Sequence, residues 1–415
     1  MKEDAPPGRS GALTGAGRAV GGAASGGTMA FLLLVALCQL LALVQFLLVG
    51  AFGLWTWVKV GLLTALLSLR ADVVATLKDP SIFQAATDRV TVRWHLAPML
   101  LTIGFLWLAA RAGHRAARTR PDRSPLVASG LAAAGAGVPV AILAAICSTI
   151  VTLSLPALGL RLRVDVSTAA LWAGVLAAAG AGTGAYLEAA GGRTLAAALR
   201  GGLAAYGWAL VLLAVGVLVV ATLEPTVTRD YVDGLAGLSG GGGVLFGYHL
   251  LAFPSQSALL LAPASGSCLE IIGEGPMFDL CPWRLVASGP AGELFLPKPL
   301  SLSPWLWVLS VVPFIVAVLG GRRATTDAAV VGGQAAGAGV GVGAGLLFAL
   351  LALVGGWFAA PEMVASLVPV PQVSMHPAWA RTVVTALAWG AAGGAVGGWL
   401  GGRRYEPELP RPTSA

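Results

Sequence analysis

Charge is what this chain has least of. Lys and Arg number 26 and Asp and Glu 19 in 415 residues, so 11% of positions are charged, well below the roughly 25% of soluble domains. A water-facing surface cannot be built from so few charges, whereas a lipid-facing one needs almost none. Histidine is scarce too. His95, His114, His249 and His376 are scattered, with no pair at metal-ligand spacing. No Lys-Ser or Lys-Thr follows the glycine run 240–243, which excludes a phosphate-binding loop there and leaves a flexible linker. No carboxylate or lysine falls at mid-depth of a spanning run, which argues against a proton-driven carrier, though not against a passive channel. No paired acid, base or metal cluster stands at either membrane border. The sequence therefore reads as non-enzymatic, with no catalytic residues, metal or cofactor.

What the chain has in abundance is apolar length. Hydrophobic residues make up 57%, Gly alone fills 57 positions, and the mean hydropathy is +0.82. The expected fold class is all-α: a polytopic transmembrane bundle of about eight helices. A helix needs about 20 apolar residues to cross a hydrocarbon core of roughly 30 Å. The stretches that meet or approach this are 29–53, 95–112, 126–154, 167–190, 203–223, 305–320, 328–359 and 380–402. Trp172, Trp305, Trp307, Trp357, Trp379 and Trp399 fall near their ends, where indole rings favour the interface.

Orientation follows from the basic loops. With eight helices and both termini in the cytoplasm, 15 Lys and Arg lie inside and 11 outside, against 7 and 12 acidic residues. The densest basic run, Arg111 to Arg123, fixes the second loop as cytoplasmic. The expected location is thus the cell membrane, multi-pass. Residues 1–28, rich in Gly, Ala and Pro, read as a disordered cytoplasmic tail without a cleavage site, with Met29 an alternative start, and 403–415 as a second tail.

Two apolar stretches fit no simple count. Residues 54–69 carry Lys59 centrally and read as an interfacial or partly re-entrant helix. Residues 244–264 are long enough to span but are interrupted by Pro254, Ser255, Gln256 and Ser257. They read as a re-entrant hairpin from the outside, with a ninth spanning helix as the alternative. The outside loop 265–303 follows, and its Cys268 and Cys281 predict a disulfide on an oxidising face. Cys38 and Cys147 act as small apolar residues within helices.

Two sets of residues carry a functional argument. Gly333, Gly337, Gly341 and Gly345 recur every four residues, as do Gly390, Gly394, Gly398 and Gly402; Gly393, Gly397 and Gly401 form a further series. Each series is a groove without side chains, along which helices approach in lipid. The reading is that the last two helices pack on each other or on a partner, with a glycine-lined path as the alternative. The other set is Tyr248, His249, Pro254, Ser255, Gln256 and Ser257, a candidate pore or ligand site if the backbone opens there, or else an interfacial cap. The buried polar residues Gln39, Gln45, Ser148, Thr149, Thr152 and Gln334 are explained by helix-to-helix hydrogen bonds. A weak repeat is visible in Ala189-Ala-Gly-Gly-Arg193, Val318-Leu-Gly-Gly-Arg-Arg323 and Trp399-Leu-Gly-Gly-Arg-Arg404.

The layout of a long first helix, an amphipathic stretch, and a helix running into Arg111-Ala-Gly-His-Arg-Ala-Ala-Arg118 resembles the actinobacterial multi-pass membrane proteins of unknown function. These include the family described as cell-division permease-like, and the likeness is most specific over Trp94–Arg118. The resemblance implies a cytoplasmic-membrane protein linked to cell division or envelope upkeep. Two readings stand: a protein acting by helix-mediated association with a membrane-protein partner or a second copy, and a permease or channel for a small solute using 244–264. The lipid bilayer is its medium. Its basic residues lie at the membrane border, so anionic lipid is expected there and nucleic acid is not.

Overall fold

A computed structural model describes residues 9–49, 54–77, 90–95, 98–119, 124–155, 160–191, 193–223, 242–272, 277–288, 300–301, 304–329, 333–365 and 373–403. The chain is a polytopic helical protein, with short strands added at the helix ends. The helices are α1 (Arg9–Val49), α2 (Leu54–Ser68), α3 (Met99–Arg118), α4 (Pro125–Ile150), α5 (Val166–Ala190), α6 (Thr194–Leu223), α7 (Gly242–Ala264), α8 (Val312–Ala328, entered through a 3-10 segment, Pro304–Val311), α9 (Gly333–Ala359) and α10 (Trp379–Gly402). Seven segments are long and apolar enough to cross a membrane: Gly17–Val44, Pro125–Ile150, Val166–Ala190, Thr194–Val220, Pro304–Ala328, Gly333–Ala359 and Trp379–Gly402. Helix α3 is 20 residues long but carries Arg111, Arg115 and Arg118 and is not among them.

The chain divides into two compact units, the first made essentially of Met1–Gly191 and the second of Gly192 onward. They share one plan. The first runs α1, α2, two strands, α3, α4, two strands, α5. The second runs α6, α7, four strands, α8, α9, two strands, α10. In each, the broadest helix contact joins the fourth and fifth helices and the next joins the third and fifth, while the first packs on the third and fourth. In the first unit, β1 (Val73–Leu77), β2 (Val90–His95), β3 (Thr152–Leu155) and β4 (Leu160–Val164) pair antiparallel in the order β3-β4-β1-β2. In the second, β5 (Leu269–Ile272), β6 (Met277–Cys281), β7 (Arg284–Ser288), β8 (Leu300–Ser301), β9 (Glu362–Ala365) and β10 (Val373–Pro377) follow the order β9-β10-β5-β6-β7-β8. The first four of these repeat the connections of β3-β4-β1-β2.

The repetition extends to single residues. A Cβ added at Gly113 on α3 would run into Ala181 of α5, and one at Gly321 on α8 into Gly394 of α10. Gly180 faces Ala109 and the Leu106 carbonyl; Gly393 faces Ala317 and the Phe314 carbonyl. Gly184 meets Ala110, and Gly397 meets Val318. Gly27 approaches Ala136, and Gly202 approaches Ala344. The ends of α2 and α7 match bond for bond. The Leu69 and Ala71 amides donate to the Leu66 carbonyl and the Arg70 amide to Leu67; likewise Ser265 and Ser267 donate to Ala262 and Gly266 to Pro263. The interfacial and interrupted stretches of the sequence are therefore one element in two copies.

Several expectations are revised. The N-terminal tail does not extend to residue 28, because α1 is helical from Arg9. Its small residues are apolar enough to pack: Ala23 is fully buried, and Gly26 and Gly27 lie against Ala112 and Ala136. Residues 244–264 do not open at Pro254 but form one continuous helix. A proline removes a single helix bond, whereas opening the backbone would expose several polar groups to an apolar surround. The loop 265–303 contains strands β5 to β8. Of the Gly-Gly-Arg endings, the last forms the final turn of α10, whereas Gly320-Gly321 lies within α8, the counterpart of α3. Beyond Arg403, the C-terminal tail lies outside the described residues.

Candidate functional site

The glycine series form two seams of the second unit. Gly337, Gly341 and Gly345 of α9 lie against Gly398, Gly394 and Gly390 of α10, and Gly402 closes the row against Gly333. The third series faces a different helix: Gly393, Gly397 and Gly401 meet Ala317, Val318 and Thr325 of α8. Alternate faces of α10 are thus spent on two neighbours. Gly339 lies off the seam with nothing within 4 Å of an added Cβ. The seams are closed by backbone contact, so neither leaves a path for a solute.

The polar residues of α7 are drawn into the unit rather than gathered around an opening. Ser255 and Ser257 are buried, and the Ser257 hydroxyl donates to the Phe253 carbonyl at 3.1 Å. Gln256 is half-buried beside them. Pro254 lies within the helix, and the side chains of Tyr248 and His249 lie outside the described residues. Beyond the helix end, Ser265 and Thr385 hydroxyls meet at 3.2 Å and Ser267 and Thr382 at 2.8 Å. The Trp389 indole donates to the Ser265 carbonyl at 2.9 Å. The cavity next to this cluster has a volume of about 10 Å³, room for one water and no more. These bonds tie α7 to α10. In the first unit Gln39 ties α1 to α2, donating its side-chain amide to the Val58 carbonyl at 2.9 Å while its backbone carbonyl accepts from the Trp57 indole at 2.9 Å. Ser148 and Thr149 bond carbonyls of their own helix instead of a neighbour's, and the side chain of Gln45 is outside the described residues.

The strand platform of the second unit is held at several points. Cys268 and Cys281 form the predicted disulfide, joining the approach to β5 with the end of β6. The Ala378 amide donates to the Cys268 carbonyl at 2.8 Å, and the Arg381 guanidinium donates to Cys268 Sγ at 3.5 Å. Trp283, in the turn between β6 and β7, is 1% exposed and donates its indole N–H to Ser310 at 2.9 Å. His376 on β10 lies 3.3 Å from Glu270 on β5. The disulfide is a loop-closing link of the kind that stabilises by about 2–4 kcal/mol. Among the described residues, no three of His, Cys, Asp and Glu gather to hold a metal ion.

Sequence reasoning missed Arg70. It follows α2 with φ of 62°, a left-handed conformation, yet its side chain is 6% exposed and lies over the Trp172 ring at 5.2 Å. The matching position of the second unit is Gly266, with φ of 88°. The first unit thus keeps a large cation where the fold prefers glycine. Nothing in the sequence signals it, since a left-handed position is usually marked by Gly or Asn and here is held by Arg. Because alanine strains at such a φ and glycine does not, Arg70→Ala is expected to melt at lower temperature than Arg70→Gly, by about 1 kcal/mol. Thermal unfolding of the two variants in one detergent checks the order.

No known family, curated protein or solved structure matches the chain.

Proposed function

We propose that the protein is a non-enzymatic, multi-pass protein of the cell membrane that acts by association in the cell envelope, with its strand platforms as the binding surface. The observation that carries this is the bracing of the second platform. A disulfide, the buried Trp283 and Arg381 hold short strands rigidly over a bundle whose helices meet backbone to backbone. That is an investment in a fixed surface rather than in a passage. The partner is a membrane protein or a second copy. The glycine faces are spent within the unit, so association uses the platform and not those faces. The likeness in layout to cell-division permease-like proteins is consistent with this role.

Orientation follows from charge. In both units the strands stand at the starts of the third and fifth helices, while Arg115 and Arg118, Arg193 and Arg200, Arg322 and Arg323, and Arg403 gather at the opposite helix ends. Positive-inside bias puts those ends and both termini in the cytoplasm, the platforms and the disulfide outside, and α3 across the membrane as an eighth span.

Affinity purification from native membranes tests the role. A stoichiometric partner, or a second copy, is expected with the unaltered protein and lost with Arg284→Glu, a charge reversal at an exposed position on β7. Recovery of a lone monomer from both would overturn it. The repeated plan favours a second reading, a permease for a small solute, since many transporter folds are built from internal repeats. Flux into liposomes that disappears with Gln256→Ala or His249→Ala would replace the first reading with this one.

A further inference from the structure

We propose that the flank where α1 meets α3 in the first unit is a binding site for an anionic phospholipid. The two helices run antiparallel and close, with Gly22 facing Ala116 and Gly26 facing Ala112. Beside this crossing is an open groove of about 530 Å³, within the range of about 300–1,000 Å³ typical of small-ligand sites. Its mouth is cationic: Arg18 from α1 and Arg111 and Arg115 from α3 line it. Further along the two helices its lining turns apolar, with Met29, Leu33 and Leu108. The cationic and apolar parts succeed one another along the helix axes. Arg18 is the second residue of the membrane-suited segment Gly17–Val44. From there to Leu33 the helix rises about 22 Å, more than the roughly 15 Å thickness of one hydrocarbon leaflet.

Charge separates this groove from its surroundings. On another side of α3, Arg118 is paired with Glu188 at 2.9 Å, and His114 lies 3.0 Å from the same carboxylate. Arg18, Arg111 and Arg115 have no acidic partner among the described residues. The second unit supplies an internal comparison. The matched glycines place Arg193 at the position of Arg18, Leu319 at Arg111, Arg323 at Arg115 and Asp327 at Thr119. There one arginine is lost and a carboxylate enters, 3.9 Å from Arg323. The same fold thus keeps the unneutralised cation cluster in one copy and cancels it in the other. Basic pockets between membrane helices at the level of the headgroups are suited to lipid phosphate. The exposed apolar stretch commits the occupant to a lipid of the bilayer rather than a free anion, with the phosphate at the three arginines and an acyl chain along Met29, Leu33 and Leu108.

Native mass spectrometry of the full-length protein in a mild detergent tests this, with palmitoyl-oleoyl phosphatidylglycerol and phosphatidylcholine as probes. Retention of phosphatidylglycerol is expected to weaken about fivefold per arginine removed (about 1 kcal/mol each) in Arg18→Gln, Arg111→Gln and Arg115→Gln. It is expected to stay unchanged in Arg323→Gln, and phosphatidylcholine is expected to be indifferent to all four. All four positions are exposed, so the substitutions leave the fold intact. Equal retention by all variants overturns the proposal, as does displacement of the lipid by inorganic phosphate alone, which would mark a free-anion site.

Discussion

Gly341→Leu is expected to abolish recovery of folded protein, whereas Gly339→Leu, two residues away on the same helix, leaves it intact. A Cβ at position 341 would stand 2.7 Å from Gly398 Cα and 2.8 Å from its nitrogen, before the rest of a leucine side chain is added. Both contacts are with backbone, which has no rotamer to move aside. The whole α9–α10 seam must then part, and with it the dispersion contacts that hold helices together in lipid. Overpacking commonly costs about 1–3 kcal/mol where side chains can adjust, and here they cannot. Gly394→Leu strikes the same seam from the other side, its Cβ falling 3.1 Å from Gly345 Cα. At Gly339 nothing lies within 4 Å, and leucine there faces open space. Size-exclusion profiles of fluorescent fusions of the three variants report the contrast. A monodisperse Gly341→Leu protein at the level of the unaltered one would contradict the seam.

That seam was legible in the sequence because glycine marks it every four residues. The equivalent seam of the first unit was not, for a physical reason. Ala177, Ala181 and Ala185 of α5 are fully buried at the positions that Gly390, Gly394 and Gly398 fill in α10. Alanine is small enough for close packing but common enough to leave no pattern, so the repeat lies in which positions touch rather than in residue identity. The spans themselves were legible from apolar length. The N-terminal turns of α1 were not, since their Gly and Ala residues lower the hydropathy ahead of Ala23, Gly26 and Gly27, where packing begins. The strands are short and sit between longer signals. Leu160-Arg-Leu-Arg-Val164 does alternate, with Leu162 and Val164 buried and Arg161 and Arg163 exposed, but five residues of period two are weak evidence alone. Cys268 and Cys281 were readable as a pair because nothing else in their loop competes for them. Arg70 was not readable, because its importance lies in a backbone angle and a burial that no spacing encodes.

If the two units are copies of one plan, matched lesions must do matched damage. Gly113→Leu in α3 and Gly321→Leu in α8 are therefore expected to lower thermal stability by similar amounts, each by several kcal/mol. At Gly113 an added Cβ would come within 2.6 Å of Ala181 C and 2.8 Å of its Cα; at Gly321 it would come 3.1 Å from Gly394 C and 3.0 Å from its Cα. In both, the third helix of the unit is driven off the fifth at the same turn, and the backbone of the fifth helix cannot yield. Gly104→Leu supplies the control, since it lies in the same helix as Gly113 with nothing within 4 Å. The slightly longer distances at Gly321 predict the smaller of the two losses, and Gly394, unlike Ala181, has no side chain to add to the collision. Melting curves of the three variants in one detergent decide it. A tolerated Gly321→Leu beside a ruined Gly113→Leu would mean that the units share an outline without sharing the packing that enforces it.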